Sequence, residues 1–356
     1  MTDPVPGHGP SCELVTGATG LVGMYRLAWR LERGWPTVAL RRKRSRLDRV
    51  EVFLRERLGD GFDEAWSSLE WREADLTDVV GLEEAMAGCD RVFHAAGRVS
   101  FKSGDGERLK EVNQHGTANV VDAALGCGIR RLFHVSSVAA LGRSAEDGGA
   151  VHEESDWAEG LGASPYGVSK HAAELEAWRG HAEGLEVIVV NPTIILGDAR
   201  YEESSGMVYG RVAKGGRFHP TGTNGFVGAE DLLEVVGALD AAADAGQEAV
   251  IGERFVVSAE EVPFAEVMGW VAEELGVRAP DLPLSGWMLE CGWRLASLWA
   301  WLTFSSPVLS KDMARNTAVH HRYDTSKLKR VLPDFRFTSI RDVVNSTCSP
   351  ARVNRA

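Results

Sequence analysis

Residues 16–23 read TGATGLVG, and this stretch decides the fold that we predict for the chain. It places Gly17, Gly20 and Gly23 at GxxGxxG spacing, directly after an apolar run and at the opening of a helical pattern. Glycines at this spacing permit a tight turn, close approach of the backbone to a ligand, and close contact between helix and strand. Because a helix N-terminus attracts anions, the turn is typical of a pyrophosphate site. The residues expected to bind a dinucleotide here are Gly17, Thr19, Gly20, Leu21, Val22 and Gly23.

Outward from this turn, short apolar runs alternate with longer helical patterns. Strands are predicted at TVALRR, LEWREADL, RVFHAAG, RLFHVSSVAALG and LEVIVVNPTIILG. Helices are predicted at GMYRLAWRLERG, NQHGTANVVDAALGCG and SKHAAELEAWRGHAEG. This order predicts an α/β fold with a doubly wound parallel sheet, whose ligands lie at the carboxyl ends of the strands.

The alternation weakens beyond residue 197, which indicates a second, smaller and mostly helical lobe that binds substrate. We expect residues 1–11 to be a disordered lead-in, and residues 12–196 with 222–258 to form the dinucleotide-binding domain. Residues 197–221 and 259–350 would then form the substrate lobe. Its stretch GWMLECGWRLASLWAWLTF favours either a buried aromatic stripe or rings that line an apolar pocket or surface patch, and both can hold. The tryptophans concerned are Trp287, Trp293, Trp299 and Trp301.

Composition excludes several classes of protein. The formal net charge of -12 argues against a general nucleic-acid binder, which would carry a basic face. No apolar run reaches the roughly 18 residues of a membrane-spanning helix, and the first residues lack the pattern of a signal peptide. The 5 cysteines are scattered and free of CxxC spacing, so neither a disulfide framework nor a metal site is predicted. A reducing, cytoplasmic location is therefore expected.

A local basic run, LRRKRSRLDR at residues 40–49, begins where the second predicted strand ends. A carboxylate at that strand tip would bind the ribose 2′-hydroxyl of NAD, whereas an arginine accommodates the 2′-phosphate of NADP. The tip here is Arg41, with Arg42 or Lys43 placed to assist. Guanidinium groups suit phosphate geometry, so NADP(H) is favoured, although NAD(H) is possible. Arg46 is expected on a solvated face.

The stretch SPYGVSK, residues 164–170, opens a predicted helix with a Tyr-x-x-x-Lys pair. Four residues make about one helical turn, so Tyr166 and Lys170 project from the same face. For acid-base work near pH 7 the tyrosine pKa would have to fall by about three units, or roughly 4 kcal/mol. An adjacent ammonium and the positive nicotinamide of an oxidised cofactor can together lower it. Upstream, either Ser136 or Ser137 can bind a substrate oxygen.

The order of these motifs resembles the extended branch of the short-chain dehydrogenase/reductase superfamily, over roughly residues 14–240. The resemblance implies a Rossmann-type sheet, a nicotinamide cofactor and the catalytic residues Ser137, Tyr166 and Lys170. Gly142 matches the glycine that closes the strand-loop motif of the family, and counting back from it selects Ser137 over Ser136 as the catalytic serine. Asp75 and Leu76 match the family positions that hold the adenine, and Ala95 and Ala96 match those that pass under the cofactor. Asn113 matches the position that supports the lysine, and Asn191 and Pro192 match those that border the nicotinamide.

One position departs from the family pattern. The family commonly has a carboxylate or histidine where Gly228 stands, so no contact is transferred to Gly228, although Asp231 fits a later acidic position. Beyond about residue 240 the chain carries little family signal.

Two broad classes of activity share this machinery. Arg41, the tryptophan-rich lobe and the lack of an obvious basic cluster after Gly197 favour a reductase resembling dihydroflavonol reductase or the 3β-hydroxysteroid enzymes. Such an enzyme would reduce a ketone or aldehyde on a fairly apolar small molecule with NADPH, or oxidise the alcohol. The alternative is a nucleotide-sugar epimerase or dehydratase with retained NAD, for which Arg200, Arg211, Lys214 and Arg217 could bind the diphosphate.

A third class, a non-catalytic dinucleotide sensor, is disfavoured because Ser137, Tyr166 and Lys170 are all present. The partners expected from the resemblance and composition are a small-molecule substrate and a second copy of the chain, with no nucleic acid.

Overall fold

The computed structural model describes residues 11–100, 104–142, 149–157, 164–200, 206–284, 288 and 317–348. The predicted lead-in lies outside the described residues except for residue 11, and so does the tryptophan-rich stretch except for residue 288. The predictions made for those two segments stay predictions.

Strands alternate with helices through most of the described chain. The strands are β1 (Glu13–Thr16), β2 (Thr37–Arg41), β3 (Glu70–Glu73), β4 (Arg91–His94), β5 (Arg131–Val135), β6 (Glu186–Pro192), β7 (Ile194–Leu196), β8 (Phe218–Pro220), β9 (Thr223–Gly228), β10 (Glu253–Val257), β11 (Glu260–Pro263) and β12 (Leu282–Leu284). The helices are α1 (Leu21–Leu31), α2 (Leu47–Leu58), α3 (Phe62–Ser68), α4 (Val79–Met86), α5 (Gly106–Leu109), α6 (Gly116–Gly126), α7 (Pro165–Ala182), α8 (Gly206–Ala213), α9 (Ala229–Asp244), α10 (Phe264–Leu275), α11 (Ser326–Val331) and α12 (Ile340–Thr347).

Seven strands form one parallel sheet in the order β10-β6-β5-β4-β1-β2-β3. The residues of β1, β4 and β5 are all buried, as expected for strands covered on both faces. The edge strand β3 is instead half-exposed or exposed throughout. The predicted doubly wound, Rossmann-type α/β fold is confirmed.

The apolar run LEVIVVNPTIILG, read from the sequence as one unit, forms two strands in different sheets. Its first part is β6 of the large sheet, and its second part is β7, which pairs in parallel with β9. Pro192 has no amide hydrogen, so the ladder of β6 ends there. The next amide, of Thr193, donates to the carbonyl of Val257 at 3.0 Å. Both strands are apolar, which is why hydropathy alone hides the break.

The chain divides into two compact units, each with its own core. The first comprises residues 1–97, 115–135 and 175–188, within which only residues from 11 onward are described. Its helix α1 packs with apolar residues at helical spacing, including Leu21, Met24 and Leu27. A buried ion pair, Arg26 Nη2 to Glu13 Oε2 at 2.6 Å, fixes α1 to the start of β1.

The second unit comprises residues 98–114, 136–174 and 189–356, again only where they are described. Its core contains Tyr209 from α8, Phe226 from β9 and Val271 from α10, all nearly or fully buried. In its smaller sheets β9 lies between β11 and β7, and β12 pairs with β8. The division into a dinucleotide domain and a substrate lobe stays a prediction.

Candidate functional site

Two glycines where β1 leads into α1, one in the turn and one in the first turn of the helix, leave no room for a side chain. Gly17 has φ +68°, and a Cβ there would lie 2.6 Å from the Ala96 nitrogen. A Cβ on Gly23 would lie 2.1 Å from the Gly17 oxygen. Gly20 is the N-cap of α1, whose first turn holds no acidic residue, so the positive end of the helix faces no carboxylate of its own. This cradle fits the pyrophosphate of a dinucleotide.

The residues predicted to pass under the cofactor lie against this turn. The Ala96 amide donates to Thr16 Oγ1 at 3.3 Å, and the Ala95 amide donates to the Thr16 carbonyl at 3.4 Å. The end of β4 is thereby held beside the glycine turn, in the first unit.

Arg41 ends β2 and already has an anionic neighbour. Register places it opposite Glu73 of β3, and its Nη2 lies 3.4 Å from Glu73 Oε2. The side chains are 34% and 45% exposed, so the pair is weak. Arg46 pairs instead with Asp48 and is 67% exposed. Sequence reasoning missed Glu73, because its place opposite Arg41 depends on the register of β3 against β2.

The two residues predicted to hold the adenine follow β3. Asp75 Oδ1 accepts hydrogen bonds from Thr77 Oγ1 at 2.9 Å and from the Thr77 amide at 3.1 Å. The Leu76 carbonyl accepts from Asn119 Nδ2 at 2.7 Å. The loop conformation is therefore fixed by local bonds and by a tie to α6.

In the second unit, Tyr166 and Lys170 lie one turn apart on α7. Burial raises the pKa of Tyr166, and a hydrogen bond with the Ser137 side chain lowers it by less. The pKa of Lys170 is lowered from 10.5 to about 8, because burial lowers it and the Glu174 carboxylate raises it by less. The groups of the chain itself therefore do not lower the tyrosine pKa, because desolvation of the tyrosinate outweighs the favourable hydrogen bond.

The two adjacent serines have different surroundings. The Ser136 hydroxyl is buried and donates to the Glu174 carboxylate. Ser137 is half-buried, caps the short helical turn Val138–Ala140 by accepting from the Ala139 amide at 3.2 Å, and contacts Tyr166. The geometry therefore favours Ser137 for substrate binding.

The loop after Ser137 is held close to a neighbouring segment at Gly142. A Cβ on Gly142 would lie 1.6 Å from the carbonyl oxygen of Asp156, so only glycine fits at this position. This close approach gives a physical reason for the glycine from which the position of Ser137 was counted.

Asn113 lies in a π-helical segment, Lys110–His115, a distortion that is frequent at functional sites. Its Nδ2 donates to Ser169 Oγ at 2.9 Å and to the Arg98 carbonyl at 3.0 Å. Ser169 in turn donates to the Tyr166 carbonyl at 2.8 Å. Asn113 thus supports the first turn of α7 through the residue next to Lys170.

Glu174 is the centre of a buried network that the sequence did not reveal. Its side chain is 1% exposed and accepts from Ser136 Oγ, from Asn191 Nδ2 at 2.5 Å and from Arg254 Nη1 at 3.1 Å. The same Asn191 Nδ2 donates to the Ser137 carbonyl at 3.1 Å. Asn191 Oδ1 is buried without a hydrogen-bond partner among the described residues. The available signal for this network in the sequence was the position of Glu174, four residues after Lys170.

The C-terminal candidates have structural partners. Asp231 accepts from the Thr338 amide at 2.8 Å and from Thr338 Oγ1 at 3.0 Å, which fixes the approach to α12. Arg200 pairs with Asp198, and Arg217 lies 3.4 Å from Asp281. Of the four basic residues considered for a diphosphate, Arg200 is thus held by a buried carboxylate, whereas the pair of Arg217 is exposed and weak.

The described ranges offer neither a metal site nor a membrane-spanning helix. They contain no group of three or more histidine, cysteine or acidic side chains that could hold a metal. None of their helices is both long and apolar enough to cross a bilayer.

Comparison with known proteins identifies the family. Residues 13–217 match the profile of the "NAD dependent epimerase/dehydratase family". A putative dihydroflavonol 4-reductase from Synechocystis sp. is 29% identical over 319 residues, which cover 89% of this chain and 88% of the relative. Sterol demethylase protein B of Methylococcus capsulatus is 30% identical over 76% of each chain.

Among solved structures, the UDP-glucuronic acid 4-epimerase of Bacillus cereus in complex with NAD has a TM-score of 0.69. It is 17% identical over 97% of this chain and 99% of its own, a likeness that shows the fold alone. The chain is an NAD(P)-dependent oxidoreductase and belongs, as its motifs predicted, to the NAD dependent epimerase/dehydratase family of extended short-chain dehydrogenases/reductases.

Proposed function

We propose that the protein reduces a ketone or aldehyde on a fairly apolar small molecule with NADPH, or oxidises the corresponding alcohol. The observation that carries this proposal is the arrangement of Tyr166 with Ser137 at its side chain and the buried Lys170 one turn along α7. The reductases among the relatives support the same class of reaction.

A bound nicotinamide cofactor would supply the hydride, and the chain would supply orientation and a proton. The Ser137 hydroxyl donates a hydrogen bond to the substrate carbonyl oxygen and so orients it. The Tyr166 hydroxyl donates the proton to that oxygen. The Lys170 ammonium holds the nicotinamide ribose and stabilises the tyrosinate that results. Asn113, acting through Ser169, positions the turn that carries both residues.

The charge states in the ligand-free protein suit the reductive direction. Because burial raises the pKa of Tyr166, the phenol keeps its proton and enters the reaction as an acid. Lys170, with a pKa of about 8, is mostly charged at pH 7. A positively charged lysine beside a protonated tyrosine is the state needed before proton donation.

Arg41 is the residue assigned to the 2′-phosphate of NADPH, with Arg42 assisting. Its pair with Glu73 is half-exposed, and such pairs contribute about 0–1 kcal/mol. A phosphate can form shorter, bidentate contacts with the same guanidinium group, so it competes well with Glu73. The homodimer and the cytoplasmic location expected from the sequence remain part of this proposal.

An epimerase or dehydratase with retained NAD is the second candidate, favoured by the family profile and by NAD-bound structural relatives. The ion pair of Arg200 with the buried Asp198 weighs against it, because it occupies one of the cations that a sugar diphosphate would need.

Cofactor analysis followed by turnover decides between the two. The purified protein is denatured and its supernatant is assayed for nicotinamide cofactor, and NADPH oxidation is then followed with a panel of apolar ketones and nucleotide sugars. We expect little retained NAD, saturable NADPH oxidation by a ketone, and loss of that turnover by at least about 100-fold in Tyr166→Phe. Stoichiometric NAD with conversion of a nucleotide sugar would instead support the epimerase. Full ketone turnover in Tyr166→Phe would refute the assigned mechanism.

A further inference from the structure

Two cysteines that are 77 residues apart in the sequence meet at the amino ends of β1 and β4. The sulfur atoms of Cys12 and Cys89 lie 3.1 Å apart. Cys12 precedes β1 and Cys89 lies just before β4, and these two strands are neighbours in the sheet. The Asp90 amide donates to the Cys12 carbonyl at 3.1 Å, so the backbone holds both residues in place. Cys89 is 9% exposed, whereas Cys12 is more accessible.

The surroundings distinguish the two thiols. The pKa of Cys12 is lowered from 9.0 to about 7. The hydrogen bond from Cys89 has the largest effect, and the guanidinium groups of Arg30 and Arg72 also lower the pKa, whereas burial raises it. The hydrogen bond to Cys12 and burial raise the pKa of Cys89. Asp90 is the carboxylate that opposes the charge on Cys12. Cys12 is thus the accessible thiolate, and Cys89 is the thiol beside it.

We propose that Cys12 and Cys89 form a thiol-disulfide exchange site that reacts with low-molecular-weight disulfides and ends as an intramolecular disulfide bond. The pair lies at the amino ends of the strands, whereas the glycine turn and Ala95 follow their carboxyl ends. The proposal therefore does not depend on the substrate or the cofactor of the oxidoreductase.

The exchange proceeds in two balanced steps. The Cys12 thiolate attacks one sulfur of the small disulfide, whose sulfur-sulfur bond breaks, and one small thiolate leaves. Cys89 then loses its proton and attacks the Cys12 sulfur, which releases the second small thiol. The two protein sulfurs are oxidised by two electrons in total, and the small disulfide is reduced to two thiols. The first step removes the Cys12 charge and hydrogen bond that had kept Cys89 protonated, so it prepares the second step.

The product links residues that lie just before two neighbouring strands, β1 and β4, and closes a long loop. A cross-link of this kind restricts the unfolded chain, so the oxidised protein should have a higher thermal midpoint than the reduced protein. Oxidation should leave the glycine turn and the residues of α7 unchanged.

The experiment incubates the full-length protein with oxidised glutathione at pH 7, quenches with acid, alkylates the remaining thiols and maps the peptides by mass spectrometry. The variants are Cys12→Ser and Cys89→Ser, with Cys127→Ser as the control for an exposed, isolated cysteine. We expect the wild type and Cys127→Ser to form the Cys12–Cys89 disulfide. Cys89→Ser should stop at a glutathione adduct on Cys12, formed about tenfold faster than the adduct on Cys127.

Two results would overturn the proposal. One is glutathionylation of Cys12 no faster than that of Cys127. The other is a wild-type protein that keeps glutathione on Cys12 and never forms the internal bond. In the wild type the first result appears as loss of the free Cys12 thiol no faster than loss of the free Cys127 thiol, so both results decide the question even where a variant does not fold.

Discussion

Replacing Glu174 with glutamine tests whether this buried carboxylate sets the charge of Lys170. Glu174 raises the pKa of Lys170, which burial lowers to about 8, and glutamine keeps the shape but loses the charge. A nearby opposite charge shifts a pKa by about 1 unit or more, equivalent to about 1.4 kcal/mol. A loss of about 1 unit would reduce the charged fraction of Lys170 at pH 8 from about half to about one tenth.

The assay is the pH dependence of kcat/KM, which reports groups of the free enzyme. The proposed mechanism requires the charged lysine, so activity should be lost as pH rises through the Lys170 pKa. We expect the alkaline limb to begin near pH 8 in the wild type and about 1 unit lower in Glu174→Gln. Glu174→Asp keeps the negative charge, so its alkaline limb should begin near the wild-type pH. Glu176→Gln, which breaks the partly exposed pair with Arg179 on the same helix, should leave it in place.

The substitution also affects folding, because Arg254 loses the charge of its carboxylate partner and keeps its bond to the Glu153 carbonyl. Breaking a buried pair costs about 3–5 kcal/mol, and we expect less here because Arg254 is 23% exposed. Circular dichroism at the assay temperature establishes that the variant is folded. A folded Glu174→Gln protein with the wild-type alkaline limb would refute the conclusion that Glu174 maintains the charge of Lys170.

Three further predictions concern the glycine turn, the cofactor and pH. Gly17→Ala should abolish detectable dinucleotide binding and lower the thermal midpoint, whereas Gly34→Ala, with φ +64° but open space around it, should cost only about 1–2 kcal/mol of unfolding free energy. Arg41→Asp should weaken NADPH binding about tenfold or more relative to NADH in fluorescence titrations, and Arg46→Asp should change neither. Burial raises the pKa of Asp231, so the folded state holds that proton more tightly and stability falls as pH rises through the folded-state pKa. In Asp231→Asn, the free energy of unfolding measured in urea should therefore fall less steeply with pH above about pH 4 than in the wild type.

The features that were predictable from the sequence are those encoded by short-range patterns. The spacing of Gly17 and Gly23 expresses a local steric need, which the structure shows as overlaps that any Cβ would create. The position of Arg41 follows from the end of one apolar run. The split after Pro192 was missed because β6 and β7 are both apolar, and only pairing with different partners separates them.

The features that escaped prediction depend on which segments pair in space. Glu73 becomes a neighbour of Arg41 only through the register of β3 against β2. Cys12 and Cys89 meet only because β4 lies beside β1. Spacing along the chain contains no information about such registers. The sequence therefore predicted neither the contact of Cys12 with Cys89 nor the ion pair of Arg41.

The buried network explains how a desolvated site can remain charged for catalysis. Burial disfavours both the tyrosinate of Tyr166 and the ammonium of Lys170. A site with these two residues alone would drift toward a neutral lysine, which could neither hold a ribose nor stabilise a tyrosinate. Glu174 offsets the loss for Lys170, while Arg254 and Asn191 satisfy the carboxylate itself. In the proposed mechanism, the chemistry of Tyr166 therefore depends on Glu174, a carboxylate that lies outside the Tyr-x-x-x-Lys pair.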